Sequence, residues 1–288
     1  MPNFFEINNS EENVIEMLNN FIEKLSNKTK RNVIIYYSGW LSVPQELPNG
    51  INDLDMNGFM AMVNDLDFDK GLDLILHTPG GDTAATESII NYLHNIFGND
   101  IRAIVPQLAM SGGTMIACSC KEIIMGKQSS LGPIDPQLNG MPAQEILYEF
   151  NQAKKEIEEN PSCIPLWQVI ISKYNPTLIT SCQNAIDWSK IILTDSLRNY
   201  VFEDDDKTVN KIVDALNSHI DTKTHNRHLP PSKCKEIGLN ITLMESDDDL
   251  QDLILSIHHC CMKIFNTAKI YKIFSNNKRR TYNFEYNL

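Results

Sequence analysis

No run of apolar residues in this sequence approaches the ~18 to 20 needed to cross a bilayer as a helix, so no membrane span is expected. The first ten residues, Met1 to Ser10, lack a basic region followed by an apolar run, and no secretory leader is expected. Positive charge is also scarce, with 25 Lys and Arg against 37 Asp and Glu and a net charge of −12. That balance excludes a general nucleic-acid or anionic-membrane surface, because phosphate binding needs a basic footprint. The one basic cluster, Lys278-Arg279-Arg280, is short and reads as part of a solvated tail. Seven cysteines, an odd number, lie without the spacing of a disulfide framework, which points to reduced thiols and a cytoplasmic setting. Cys118, Cys120 and Cys182 fall in apolar helical patterns and read as core residues. His225-Asn226-Arg227-His228 and His258-His259-Cys260-Cys261 have no partners at ligand spacing, so neither a metal nor another cofactor is assigned. Internal repeats, low-complexity blocks and a nucleotide-binding loop are absent as well.

What the sequence does contain is alternation. Its 288 residues, 42% hydrophobic and 22% charged, suit a globular α/β fold. Two apolar runs, Leu72 to Leu76 and Ile101 to Val105, each end where small or turn-forming residues begin. The segment between them, Asp82 to Phe97, carries apolar side chains at helical spacing. Strands are predicted also for Asn32 to Tyr37 and Glu122 to Gly126, and a helix for Met56 to Leu66. Such alternation implies a parallel sheet of strand-helix-strand units. Gly112 to Cys120 is small and apolar throughout, as in a helix buried on all sides.

Before this core, the segment from Asn9-Ser10-Glu11-Glu12 to Leu25 puts Val14, Ile15, Leu18, Ile22 and Leu25 on one helical face. After it, helices are predicted from Pro142 through Ile157, over Cys163 to Tyr174 and over Pro176 to Leu193. Asp195 to Tyr200 reads as a linker, Thr208 to His219 as a helix opened by the acidic run Glu203 to Asp206, and Asp248 to Phe265 as a last helix. The tail beyond Tyr271 reads as frayed or docked on a partner. The domain reading is an N-terminal amphipathic helix over 1–30, a catalytic-type α/β domain over 31–200, and a helical C-terminal extension with tail over 201–288.

Two glycine pairs stand at the ends of the paired strands, Gly80-Gly81 and Gly112-Gly113, the second preceded by Ser111. In a parallel sheet those ends lie side by side on the ligand-binding edge. A serine at a helix start beside free N–H groups has the parts of a nucleophile and an oxyanion hole. The same residues also fit two left-handed turns with a capping serine. The extended path forced by Pro133 and Pro136 fits either a peptide-pairing strand or a plain crossover loop.

The residues themselves resemble a family. His77-Thr78-Pro79-Gly80-Gly81, then Ala109-Met110-Ser111-Gly112-Gly113-Thr114, then Ser130-Leu131-Gly132-Pro133-Ile134-Asp135-Pro136-Gln137 are similar to the motifs of the serine dehydrogenase proteinases. That family is related to signal peptide peptidase A and to the Clp protease proteolytic subunit. The resemblance runs from about Asn32 to Asp195, and Pro230 to Asp248 is similar to the family's C-terminal part. It implies the Clp/crotonase fold, a peptide or protein substrate, and a homo-oligomer, for which the apolar faces of Val14 to Leu25 and Leu250 to Ile264 are the candidate contacts.

It also implies chemical roles. Ser111 is the expected nucleophile, with the amides of Gly81 and Gly112, beside Gly80, as the oxyanion hole. The Clp subunit's histidine base has no counterpart here, since the next histidine after Ser111 is His219. Relatives of signal peptide peptidase A use a lysine from a later helix, a place matched by Lys154 and Lys155. Lys154, on the rim of the Leu147, Phe150 and Ile157 stripe, is the favoured base of a Ser-Lys dyad; the alternative is two surface lysines paired with Glu158 and Glu159. Supporting candidates are His77, as base or buried anchor, Asp135, as orienting group or turn cap, and Ser129 or Ser130, as ammonium bridge or turn former. Competing functions are a non-catalytic peptide-binding scaffold and an acyl-coenzyme A hydratase or isomerase, which the same fold also hosts.

Overall fold

A computed structural model describes residues 4–10, 13–138, 140–217 and 227–287. In chain order it runs α1 (Phe4–Asn9), α2 (Val14–Thr29), β1 (Asn32–Ser38), α3 (Asp55–Val63), β2 (Leu72–His77), α4 (Thr83–Phe97), β3 (Ile101–Val105), β4 (Leu108–Ala109), α5 (Gly112–Cys118) and β5 (Glu122–Met125). Then come β6 (Ser130–Leu131), β7 (Gln137–Leu138), β8 (Met141–Pro142), α6 (Ala143–Glu159), α7 (Ile164–Ile171), α8 (Leu178–Tyr200) and α9 (Asp206–Asn217). The last elements are α10 (Pro231–Ile237), β9 (Ile241–Leu243), α11 (Asp248–Thr267), β10 (Ile270–Asn276) and β11 (Thr281–Glu285).

The apolar runs become the middle of a seven-stranded sheet ordered β11-β10-β1-β2-β3-β5-β9. From β1 to β9 the strands are parallel, and β10 and β11 close the other edge antiparallel. All seven residues of β1 and all six of β2 are buried, as expected of strands covered on both faces. Alternate side chains feed two cores. Ile34, Tyr36, Leu74, Leu76, Ala103 and Val105 pack against α3, α4, α5 and α9. Val33, Ile35, Tyr37, Ile75 and Ile104 face α1, α2 and α11. A third, small core joins α6 to α8 through Ala143, Ile146, Leu178, Cys182 and Ile186. The fold is therefore mixed α/β with a mostly parallel sheet.

Local signals explain the helix ends. Asp82 accepts from the Ala85 N–H at 2.8 Å and caps α4, and Asp247 does the same for α11 through Leu250 at 3.0 Å. The capping residue of α2 is Asn13, whose side chain accepts from the Ile15 N–H. Asp195 to Tyr200, expected as a linker, continues α8. The predicted helix over Thr208 to His219 is α9; His219, His225 and Asn226 lie outside the described residues.

The segment after residue 200 carries the helices α9, α10 and α11 and also supplies β9, β10 and β11 to the main sheet. Lys278-Arg279-Arg280 accordingly forms the β10–β11 turn, where Arg279 pairs with Glu16 and Glu23 of α2 and Arg280 with Asp65. The apolar faces of α2 and α11, expected as candidate partner contacts, pack into one core instead: Leu18, Ile22 and Leu25 are buried there with Ile254, Ile257 and Ile264. Among the described residues no helix is long and apolar enough to cross a membrane.

Candidate active site

The second glycine pair makes a turn with an unusual occupant. Gly113 N–H donates to the Met110 carbonyl at 2.8 Å, closing a four-residue turn whose second residue is Ser111. Ser111 has φ 49° and ψ −113°, close to the second position of a type II′ turn, where glycine is the usual choice. A serine held there costs about 1–3 kcal/mol of backbone strain. Its surroundings enforce it. Thr78 N–H donates to the Leu108 carbonyl at 3.1 Å and Met110 N–H to the Thr78 carbonyl at 3.0 Å, while β4 pairs with β6. The Thr114 hydroxyl accepts from Gly132 N–H at 3.0 Å, and α5 behind the turn is buried along its whole length. Among the described residues the Ser111 side chain makes no capping bond at the head of α5.

The first glycine pair lies against this turn. A Cβ on Gly80 would fall 2.6 Å from both the Ser111 Cβ and the Met110 carbonyl oxygen. Gly80 and Gly81 have φ of 89° and 157°, so the close approach and the backbone path both call for glycine. Gly81 is also bridged in parallel to Ile51: Ile51 N–H donates to Gly80 O at 2.7 Å and Asp82 N–H to Ile51 O at 2.8 Å. In that pairing the N–H of Gly81 itself points away from Ile51. Among the described residues neither the Gly81 nor the Gly112 N–H donates to a protein acceptor. The two are neighbours, a Cβ on Gly112 falling 3.5 Å from Gly81 N.

Ser111, Gly80, Gly81 and Gly112 line a cleft of about 620 Å³. One wall is the extended run Ile134 to Leu138, and the other is α8, through Ala185, Trp188 and Ser189. Trp188 is held by its indole N–H, which donates to Glu87 Oε2 at 3.2 Å. The titratable side chains in the described lining are the carboxyls of Asp82 and Asp135, the latter only 6% exposed. The cleft is thus polar and acidic on one side, with a tryptophan opposite. Proline spacing pointed to the extended wall, but the contributions of Trp188 and of the Gly50 to Ile51 segment had no local signal.

The remaining sequence-predicted residues lie elsewhere. His77 projects from the opposite face of the sheet, fully buried, with ring centroids 4.3 Å from Trp40, 5.3 Å from Tyr37 and 5.5 Å from His258. Burial, reinforced by His258 and only partly offset by the Leu108 backbone, holds its imidazole well below the usual histidine range. Ser130 sits in β6, its N–H on the Gln107 carbonyl at 2.7 Å, and Ser129 Oγ accepts from Gly126 N–H at 2.9 Å in a turn. Neither serine reaches the cleft lining. Lys154 and Lys155 are exposed on α6, and Lys155 leans toward Glu159 at 4.0 Å. Neither lysine is among the lining residues.

Comparison with known proteins agrees with this geometry. Residues 14–254 match the sequence model of the ClpP-like SDH-type serine proteinases. Two proteins of Methanocaldococcus jannaschii, the uncharacterized proteins MJ0137 and MJ1495, are similar over 173 residues at 31% and 32% identity. The match takes in 60% of this chain and 54% and 52% of those relatives, so the chain spans about half their length. A glycine-framed serine turn, a paired amide strand and a family match running from α2 into α11 converge on one conclusion: the chain belongs to the ClpP-like SDH-type serine proteinase family.

Proposed function

We propose that this protein is a serine peptidase in which Ser111 attacks the scissile carbonyl and the Gly81 and Gly112 amides hold the resulting oxyanion. The observation that carries this reading is the hydroxyl of a strained serine standing beside two amides without protein acceptors. The bond formed is Oγ to carbonyl carbon; the amine leaves with a proton, and water then releases the acyl group from Ser111. The run Ile134 to Leu138 offers an extended edge along which a peptide pairs, and the face of Trp188 takes an apolar side chain. Assembly into a homo-oligomer is part of the reading, and the exposed apolar side chains Leu166, Val169 and Ile191 of α7 and α8 supply a surface for it. The test is covalent labelling by a fluorophosphonate probe together with turnover of a peptide library. Ser111→Ala should lose labelling and at least about a thousandfold of turnover while keeping the fold. Unchanged turnover in that variant overturns the proposal.

One observation favours a second reading, a peptide-binding scaffold. The described cleft lining contains no histidine or lysine to take the serine proton. A protein of that kind binds peptides in the cleft but leaves the fluorophosphonate unreacted.

A further inference from the structure

Lys272 is a lysine in the middle of a strand, β10, with only 1% of its side chain exposed. Its ammonium sits 2.8 Å from both carboxylate oxygens of Asp55, which is fully buried, and 2.7 Å from the Gly50 carbonyl oxygen. The ammonium therefore has acceptors on two sides, the Asp55 carboxylate and the Gly50 carbonyl. Asp55 is tied in turn by the Tyr36 hydroxyl at 2.8 Å and by the Asn52 N–H at 3.0 Å. The Phe284 ring closes the remaining side, its centroid 5.6 Å from the ammonium. The carboxylate, ammonium and phenol thus grip the backbone at Gly50 and at Asn52, and the residue between them is Ile51.

Ile51 is the residue paired with Gly80 and Asp82. The fit there is tight, since a Cβ on Gly81 would fall 2.2 Å from Ile51 N and one on Gly50 3.2 Å from Gly80 O. A small rotation at Gly50 is therefore passed to the strand that carries the Gly81 amide. Stability alone gives little reason to bury this ion pair, because well-packed apolar residues of similar volume often serve as well. What the hydrogen-bonded pair supplies is direction.

We propose that Lys272, through Asp55 and the Gly50 carbonyl, is a positioning residue that sets the orientation of the Gly81 amide at Ser111. This rests on the peptidase reading for its catalytic consequence, while its geometric content stands independently. The experiment compares the full chain with Asp55→Asn/Lys272→Met, which removes both buried charges together, and with the milder Tyr36→Phe. Hydrogen exchange at the Ile51 and Asp82 amides should accelerate at least tenfold in the double variant and by about threefold in Tyr36→Phe, with β3 unchanged. Peptide turnover in the double variant should fall at least tenfold in kcat with KM within twofold.

Unchanged exchange at Asp82 in a folded variant overturns the proposal, as does faster exchange at Ile51 that stops short of Asp82. If the double variant fails to fold, Tyr36→Phe decides by the same readout. A wild-type protein without turnover or probe labelling removes the peptidase reading, and exchange at Asp82 still decides the positioning role.

Discussion

Ser111 occupies a backbone conformation that glycine adopts freely and serine does not. Ser111→Gly should therefore stabilise the fold by about 1 kcal/mol, or roughly 2 °C in Tm for a chain of this size, while abolishing fluorophosphonate labelling. Calorimetry checks the first effect, and a lower Tm would show that the serine is relaxed where it stands. The identity of this residue was legible because the motif places a serine before a glycine pair at a helix start. Its strain was not, since the strand and helix flanking the turn are held by Thr78 and Gly132 from two other segments. His77 shows the opposite limit: adjacent to the motif, it belongs to the other core, because successive strand residues point to opposite faces.

At the scale of elements, α6 explains why Lys154 and Lys155 are exposed. Ala143 and Ile146 pack against α8 and Ala153 is buried as well, and each further residue along a helix rotates the side chain by about 100°. Lys154 thus leaves the apolar face that Ala153 occupies and enters solvent. Single Lys154→Ala and Lys155→Ala variants are expected to keep peptide turnover within about twofold of wild type. A loss of a hundredfold or more in either would establish that lysine as the base. Helical periodicity showed that α6 exists and where it begins, whereas its facing depends on α8, a partner that begins 19 residues after α6 ends. Strand β10 was hidden for a related reason. Lys272 interrupts its apolar pattern, and the group that satisfies the lysine, Asp55, is 217 positions away in sequence.

Across the whole molecule, four parallel strands, β1, β2, β3 and β5, and the helices between them could be read from alternating apolar runs, while β9 and the antiparallel edge of the sheet could not. Long-range pairing of β10 with β1 leaves no local trace in either segment. The same arrangement builds the second core, in which α2 and α11 cover one face and enclose His77 and His258 with Tyr37. Burial and the neighbouring His259 push the His258 imidazole down to about 3, and His77 is likewise held well below the ordinary value. Both folded-state values lie below the unfolded one of about 6.5, so the unfolded chain binds more protons at intermediate pH. The His258 contribution is complete above about pH 6.5 and declines as the pH falls toward 3, by roughly 1 kcal/mol per pH unit, and His77 acts in the same direction. Chemical denaturation at pH 7, 6, 5 and 4 should show this decline, and His258→Phe should flatten it. An equal slope in that variant would exclude His258 as a source.

The span from Lys272 back to Gly50 also sets an order of events during synthesis. Residues 32 to 118, with the serine turn and both glycine pairs, leave the ribosome long before the lysine that grips the Gly50 carbonyl has been translated. Until then β1 has an open edge and Asp55 has no ammonium beside it. A nascent chain therefore carries Ser111 before Lys272, and the Gly50 to Asn52 segment acquires its full set of hydrogen bonds only after that lysine has been made.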